Sequence, residues 1–249
     1  MQPQFNYLVT GAGRDIGKAI AVELAREGSF AVLHYCNNSD GVDSTITEIR
    51  EKGGDGIGIQ ADFRYEQDLV SFTASVRDAL QGRGLDALIH NSAFTTASNE
   101  GDLEPGALRD VLLVNTLAPY LITDSLVENL NENSSIIALS IAATTKVFSP
   151  NFGFFAASKA ALETLVMNWA VQFGPRKIRA NAVAPGIVDV NFRSELLENK
   201  DFRYELEQNT ALGRPGTPSD VASVVSSLIS SKQRWITGQT VEASGGWKL

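Results

Sequence analysis

Cysteine is almost missing from this chain: Cys36 is the only one, which excludes an intrachain disulfide and any cysteine-based metal cluster. Histidine is nearly as scarce, and His34 and His90 stand apart without acidic partners at ligand spacing, so no metal site is expected. Lysine and arginine nowhere cluster, and a net charge of −8 disfavours nucleic acid and anionic membrane as partners. No apolar run looks long enough for the roughly 18–20 residues a bilayer span needs. The chain enters a strand within a few residues of Met1, with no basic stretch leading into an apolar one, so no signal peptide is expected. These absences leave a protein of the cytoplasm as the expectation.

What is present is a regular alternation. With 249 residues and 43% hydrophobic content, the chain suits one domain over 1–249. Leu8-Val9 starts an apolar strand, and helical spacing runs from Ile16 to Glu27. Strands are predicted at Phe30–Tyr35, Gly56–Gln60, Leu85–His90, Ser135–Ser140, Ile178–Val183 and Gln239–Glu242. Between them lie helical patterns at Val42–Lys52, Glu66–Leu80, within Pro105–Asn129, at Phe152–Phe173 and at Pro218–Ser230. A polar stretch from Val188 to Thr210 reads as irregular. Each crossover is long enough for parallel pairing, so the fold class is α/β: a Rossmann-like, doubly wound parallel sheet with helices on both faces.

The first turn, Thr10-Gly11-Ala12-Gly13-Arg14-Asp15-Ile16-Gly17, joins a strand to a helix. Backbone N–H groups and the helix dipole there favour phosphate, and a dinucleotide pyrophosphate is the usual guest. Asp15 opposes that reading. A carboxylate about 4–5 Å from a phosphate costs roughly 3–4 kcal/mol at an effective dielectric near 20, or about two to three decades of affinity. Two devices reduce the cost: Arg14 beside it, or an outward swing of Asp15 as a first-turn helix acid.

Eight motifs in order resemble the short-chain dehydrogenase/reductase family over nearly the whole chain. They are the glycine turn, Asp62 after the third strand, His90-Asn91-Ser92-Ala93, Asn115 in its helix, Ser158-Lys159-Ala160-Ala161-Leu162, Asn181 to Gly186, Gly213 to Pro218, and Ile236 to Thr240 with Gly245-Gly246. The resemblance implies a nicotinamide cofactor and hydride transfer, with a tyrosine acid/base, a carbonyl-polarising serine, a lysine and a helix asparagine. The lysine falls on Lys159 and the asparagine on Asn115. The tyrosine position is Phe155, which has no ionisable proton, and a positioned general acid is typically worth 10²–10⁴-fold. The serine slot falls on Ile141, with Ser140 one residue earlier; it serves only if the strand end bulges or twists, since a one-residue offset reverses the face. A threonine often found after Pro185-Gly186 is Val190 here.

The same resemblance carries the cofactor set over to Gly11, Arg14, Asp15, Ile16, Gly17, Tyr35, Asn37, Asp62, Phe63, Asn91, Lys159, Pro185 and Gly186. The second strand ends in Tyr35-Cys36-Asn37-Asn38 without a carboxylate for a ribose diol, and Arg14 suits a 2′-phosphate, so NADP is expected over NAD. Lys159 reads as a ribose ligand, as the proton donor itself, or as a surface lysine. Asn115 reads as part of a water path or as a cap on a helix kink. Asp62 and Phe63 read as an adenine-edge contact or as a cap and a core aromatic. Asp189, Asn191, Arg193 and Glu195 lie on the stretch 188–210 that covers the substrate in relatives, as candidates for a replacement acid, a substrate clamp or a solvated face. Phe152, Phe154 and Phe155 read as an apolar floor or as core packing.

Three functions follow. The first is NADP(H)-dependent reduction of a small organic carbonyl or activated alkene, with Lys159, Ser140 or a cleft water giving the proton. The second is a non-redox cyclase, isomerase or dehydratase on this fold. The third is a catalytically silent subunit. The resemblance also implies a homodimer or homotetramer.

Overall fold

The structure, a computed structural model, describes residues 5–95, 104–149, 152–190 and 198–249. One seven-stranded sheet runs through it in the order β3-β2-β1-β4-β5-β6-β7. The strands are β1 Asn6–Val9, β2 Phe30–Tyr35, β3 Asp55–Gln60, β4 Leu85–His90, β5 Leu130–Leu139, β6 Arg179–Pro185 and β7 Thr240–Ala243, all paired in parallel. The order reverses at β1 and β4, where Leu8 pairs with Val32 on one side and Leu88 on the other. That reversal opens a crevice at the carboxyl ends of the strands, the usual ligand position in such sheets.

Helices α1 Asp15–Leu24, α2 Ser39–Glu51 and α8 Pro218–Ile229 cover one face; α3 Glu66–Leu80, α4 Pro105–Leu112, α5 Ala118–Leu126 and α6 Gly153–Phe173 cover the other. Strand alternation sends Leu88 and Ala138 into the core under α3, α5 and α6, and Ile89 and Ile137 into the core under α1 and α8. Both faces are therefore buried, which is why the strands read as near-continuous apolar runs.

Four expectations need correction. The stretch read as irregular contains α7, Lys200–Gln208, whose N-cap Asn199 accepts from the backbone N–H groups of Asp201 and Phe202. Its apolar pattern is little more than Phe202 and Leu206, too sparse to show as a helix period. Strand β5 starts at Leu130, five residues earlier than expected, because Asn133 at φ +65° interrupts a polar beginning that shifts register against β4. The helix expected within Pro105–Asn129 is broken at its centre by a π-helical turn, Leu113–Leu117. By length and composition Pro105–Asn129 is apolar enough to cross a membrane, contrary to the sequence expectation. Half of it is buried in the protein, with Val111, Val114, Ala118, Ile122 and Leu126 in the core.

Candidate active site

The glycine turn leaves β1 at Thr10, whose Oγ1 accepts from the N–H groups of Asn91 at 2.9 Å and Ser92 at 3.0 Å. The Asn91 amide returns two bonds, to the carbonyls of Thr10 at 2.9 Å and Gly11 at 3.0 Å. β1 and β4 are thus clamped together at the crevice. Gly17 packs so closely that a Cβ there would lie 2.0 Å from the Gly11 carbonyl oxygen, which no side chain survives. Arg14, the N-cap of α1, makes no side-chain cap bond to the first-turn donors. The cradle therefore fits a phosphate.

Asp15 takes φ +50°, the left-handed conformation that glycine adopts freely and aspartate tolerates better than most residues. The backbone of the turn is kept although the residue is not glycine. The carboxylate lies 3.8 Å from the Arg14 guanidinium nitrogen and its side chain is 14% exposed. Asp15 also sits at the end of a groove of about 300 Å³ between α1, α2 and α8, with Lys18, Ala19 and Ser219.

Beyond the turn, His34 stacks on Phe63 with centroids 3.9 Å apart, inside the core. Its Nδ1 accepts from Gly11 N–H at 3.0 Å, which leaves Nε2 to donate to the Ala61 carbonyl at 3.0 Å. Burial drives the imidazole down to about 4, so it stays neutral. The Phe63 ring is thereby a core aromatic. Tyr35 is half-buried at the end of β2, Asn37 is exposed, and Asn38 ties α2 to the turn by donating to the Gly13 carbonyl at 2.9 Å. Asp62 is held by Arg64, at 2.5 Å from Nη2 and 3.0 Å from Nε. That guanidinium keeps the Asp62 carboxyl below its ordinary range.

At the far end of the crevice, α6 carries Phe155, Lys159 and Glu163 at four-residue spacing. Lys159 is fully buried and donates from Nζ to the Leu139 carbonyl at 2.8 Å. Burial pushes its ammonium down to about 8. Ser140 lies at the end of β5, and its hydroxyl donates to Glu163 Oε1, which also accepts from Thr144 Oγ1 at 3.0 Å. Ile141, the residue expected in the serine slot, is half-buried, and its side chain offers no donor. Asn115 sits in the π-helical turn, entirely buried. Its Oδ1 accepts from Phe94 N–H at 2.8 Å, and its Nδ2 donates to the Phe94 carbonyl at 2.9 Å and Ser158 Oγ at 3.0 Å.

The Phe155 ring continues into an aromatic row. Phe152 meets it at 5.3 Å, Phe148 meets Phe152 at 5.4 Å, and Phe148 also contacts Trp247 at 6.0 Å and Phe202 of α7 at 6.5 Å. Phe154 is exposed on the outer face of α6. Pro185 and Gly186 close the end of β6, where a Cβ on Gly186 would meet Ser244 at 2.9 Å. Asp189 is exposed and Val190 buried; Asn191, Arg193 and Glu195 lie outside the described residues. Sequence reading passed over Glu163, Arg64 and the contacts of Phe148 and Trp247. Glu163, one helical turn beyond Lys159, and Arg64, two residues beyond Asp62, carried a local signal.

Turn, crevice and buried lysine define a doubly wound α/β protein of the dinucleotide-binding kind. Residues 11–248 match the family described as enoyl-(acyl carrier protein) reductase. Versicolorin reductase of Emericella nidulans is 33% identical over 250 residues, covering 96% of this chain and 94% of its own. An uncharacterised oxidoreductase of Methylorubrum extorquens is 34% identical over 241 residues, covering 96% of each. Among solved structures, the promiscuous reductase LugOII, which catalyses keto-reduction at C1 during lugdunomycin biosynthesis, superposes with a TM-score of 0.91 at 33% identity over 98% of both chains. The angucycline C-6 ketoreductase LanV with bound NADP gives 0.90 at 30% identity over 98% of this chain and 95% of its own. The chain belongs to the short-chain dehydrogenase/reductase family.

Proposed function

We propose that this protein is an atypical reductase of its family, NADP(H)-dependent and acting on a small organic carbonyl or activated alkene, with Lys159 giving the proton. The single observation that carries the reading is the placement of Lys159, buried at the crevice end of α6 with Nζ on the Leu139 carbonyl at 2.8 Å. Burial pushes the ammonium down to about 8, so it is charged at neutral pH yet close to release. The other family positions offer no proton: Phe155 is a hydrocarbon, Ile141 is aliphatic, and the Ser140 hydroxyl is committed to Glu163.

Gly11, Ile16 and Gly17 would cradle the pyrophosphate, with Arg14 and Asn37 toward the 2′-phosphate and Tyr35, Asp62 and Asn91 bounding the adenosine side. Lys159, Pro185 and Gly186 would bound the nicotinamide end. A reduced nicotinamide, when bound, supplies the hydride. Lys159 Nζ holds the proton, Leu139 orients the ammonium, and Asn115 braces the helix and loop on which the crevice depends. The row Phe155, Phe152, Phe148 and Trp247 excludes water and presents a wall to an apolar or aromatic ring. LugOII and LanV, named for keto-reduction, support a carbonyl substrate.

Calorimetry with NADPH and NADP⁺, followed by oxidation of NADPH with a panel of cyclic ketones, quinones and enones, tests this. Binding with turnover supports it, and no heat at millimolar nucleotide rejects it. The second reading, non-redox chemistry, is favoured by Asp15 at the phosphate turn; substrate turnover without any nucleotide establishes it. A silent subunit is identified by nucleotide binding without turnover. The apolar residues Leu112, Tyr120, Met167 and Val171, exposed on the helices of one face, support a homodimer or homotetramer, which light scattering tests. The cytoplasm is the compartment this reading assigns.

A further inference from the structure

Beneath Lys159 the core holds a second ionisable side chain that the proposed chemistry leaves unused. His90, the last residue of β4, is 2% exposed. Its Nε2 is 2.8 Å from Thr123 Oγ1 of α5, and its ring lies 5.7 Å from that of Trp169 on α6. Its Nδ1 is buried without a hydrogen-bond partner. Such an orphan is costly, about 1–3 kcal/mol, and calls for an explanation. His90 pairs with Ala138 across β4 and β5, next to Leu139, whose carbonyl holds Lys159 Nζ, and its Trp169 neighbour stands on the same helix as Lys159, so ring and ammonium share one end of the sheet. Among the described residues, Lys159 is the charged group that acts on the imidazole.

The tautomer follows from that charge. A proton on Nδ1 would point an N–H dipole toward an ammonium, whereas a proton on Nε2 hydrogen-bonds to Thr123 and leaves a lone pair facing the cation. The ammonium has three N–H donors, and Leu139 accepts one of them. We propose that His90 is a positioning residue for Lys159, its Nδ1 lone pair accepting, through one bridging water, an Nζ–H that Leu139 leaves spare. The inference rests on reading Lys159 as the proton carrier, and its role is to hold the ammonium in place and favour its charged form. Burial and the neighbouring charge hold His90 down near 3, so it remains a neutral acceptor across the working range.

Two histidines make the test direct, because the imidazole nitrogen spectrum contains only His34 and His90. In long-range ¹H–¹⁵N spectra of the wild-type protein, His90 is expected as the Nε2–H tautomer, with Nδ1 moving in one step near pH 8 as Lys159 titrates. In Lys159→Met that step disappears while His34 is unchanged. An Nδ1–H tautomer, or a flat Nδ1 signal between pH 6 and 10 in the wild type, overturns the proposal. In the reductase assay, His90→Leu is expected to move the basic limb of the rate profile down by about one unit, with His90→Asn recovering part of it. An unmoved limb in His90→Leu also overturns it. A protein that shows the histidine step but never oxidises NADPH refutes the reductase reading and leaves the His90–Lys159 pairing established.

Discussion

The Lys159 ammonium nitrogen lies 6.0 Å from the centroid of the Phe155 ring, one helical turn away on α6. A phenol on that ring would stand beside a buried cation, which favours its ionised form. Phe155→Tyr is therefore expected to raise ketone reduction by about 10–100-fold, within the usual worth of a positioned general acid. Initial rates of NADPH oxidation check it; an unchanged or lower rate means that the substrate occupies the space of the added hydroxyl.

Lys159 sets a pH dependence of known sign. Folding lowers its affinity for protons from 10.5 to about 8, so between those values the unfolded chain binds more protons than the native one. The buried charge thus costs stability in full below about pH 8, and the cost fades as pH rises toward 10.5. Activity should run the opposite way and fall as pH rises through about 8. Lys159→Met is expected to abolish reduction while raising stability at pH 7 by about 1–2 kcal/mol, part of the relief being offset by the orphaned Leu139 carbonyl. Urea unfolding at pH 7 and pH 10 measures both, and the variant's advantage should shrink at the higher pH.

Asp15→Asn separates charge from backbone. Asparagine also tolerates the left-handed φ +50°, so the turn survives while the carboxylate is lost. NADPH affinity should rise by about 10–100-fold at low salt, less than the full two to three decades because Arg14 already offsets part of the charge. Calorimetry at two ionic strengths reads it, and equal affinities in both proteins would mean that the carboxylate lies away from the phosphates.

Asn115 has a cost that can be measured without substrate. Asn115→Ala leaves the Phe94 N–H and carbonyl and the Ser158 hydroxyl without their present bonds to it in a fully buried place. A loss of about 2–4 kcal/mol is expected in denaturant unfolding. A variant that is as stable as the wild type but inactive would assign Asn115 to proton transfer alone.

How much was legible in the chain is clearest from neighbouring residues. The strand Leu85–His90 and the helix Glu66–Leu80 were placed to the residue, because a buried parallel strand is an apolar run and a helix has a local period. The glycine turn from Gly11 to Gly17 was legible for the same reason, since a turn is a local object; the close packing of Gly17 against Gly11 was not. Helix Lys200–Gln208 was not, because two apolar residues in nine do not make a period. Nor were the Ser140–Glu163 and Asp62–Arg64 pairings or the destination of His90.

On its own, the amino-acid order determined the alternation of strand and helix, the phosphate-type turn and the chain's resemblance to its family. All of these depend on residues within a turn or two of one another. Only the tertiary structure decided that Asp15 keeps a glycine's backbone angles, that the Ser140 hydroxyl is taken by Glu163, and that Lys159 is buried with His90 nearby. Those outcomes depend on packing between segments up to about 70 residues apart, where burial and strand register, rather than local preference, set which polar groups meet.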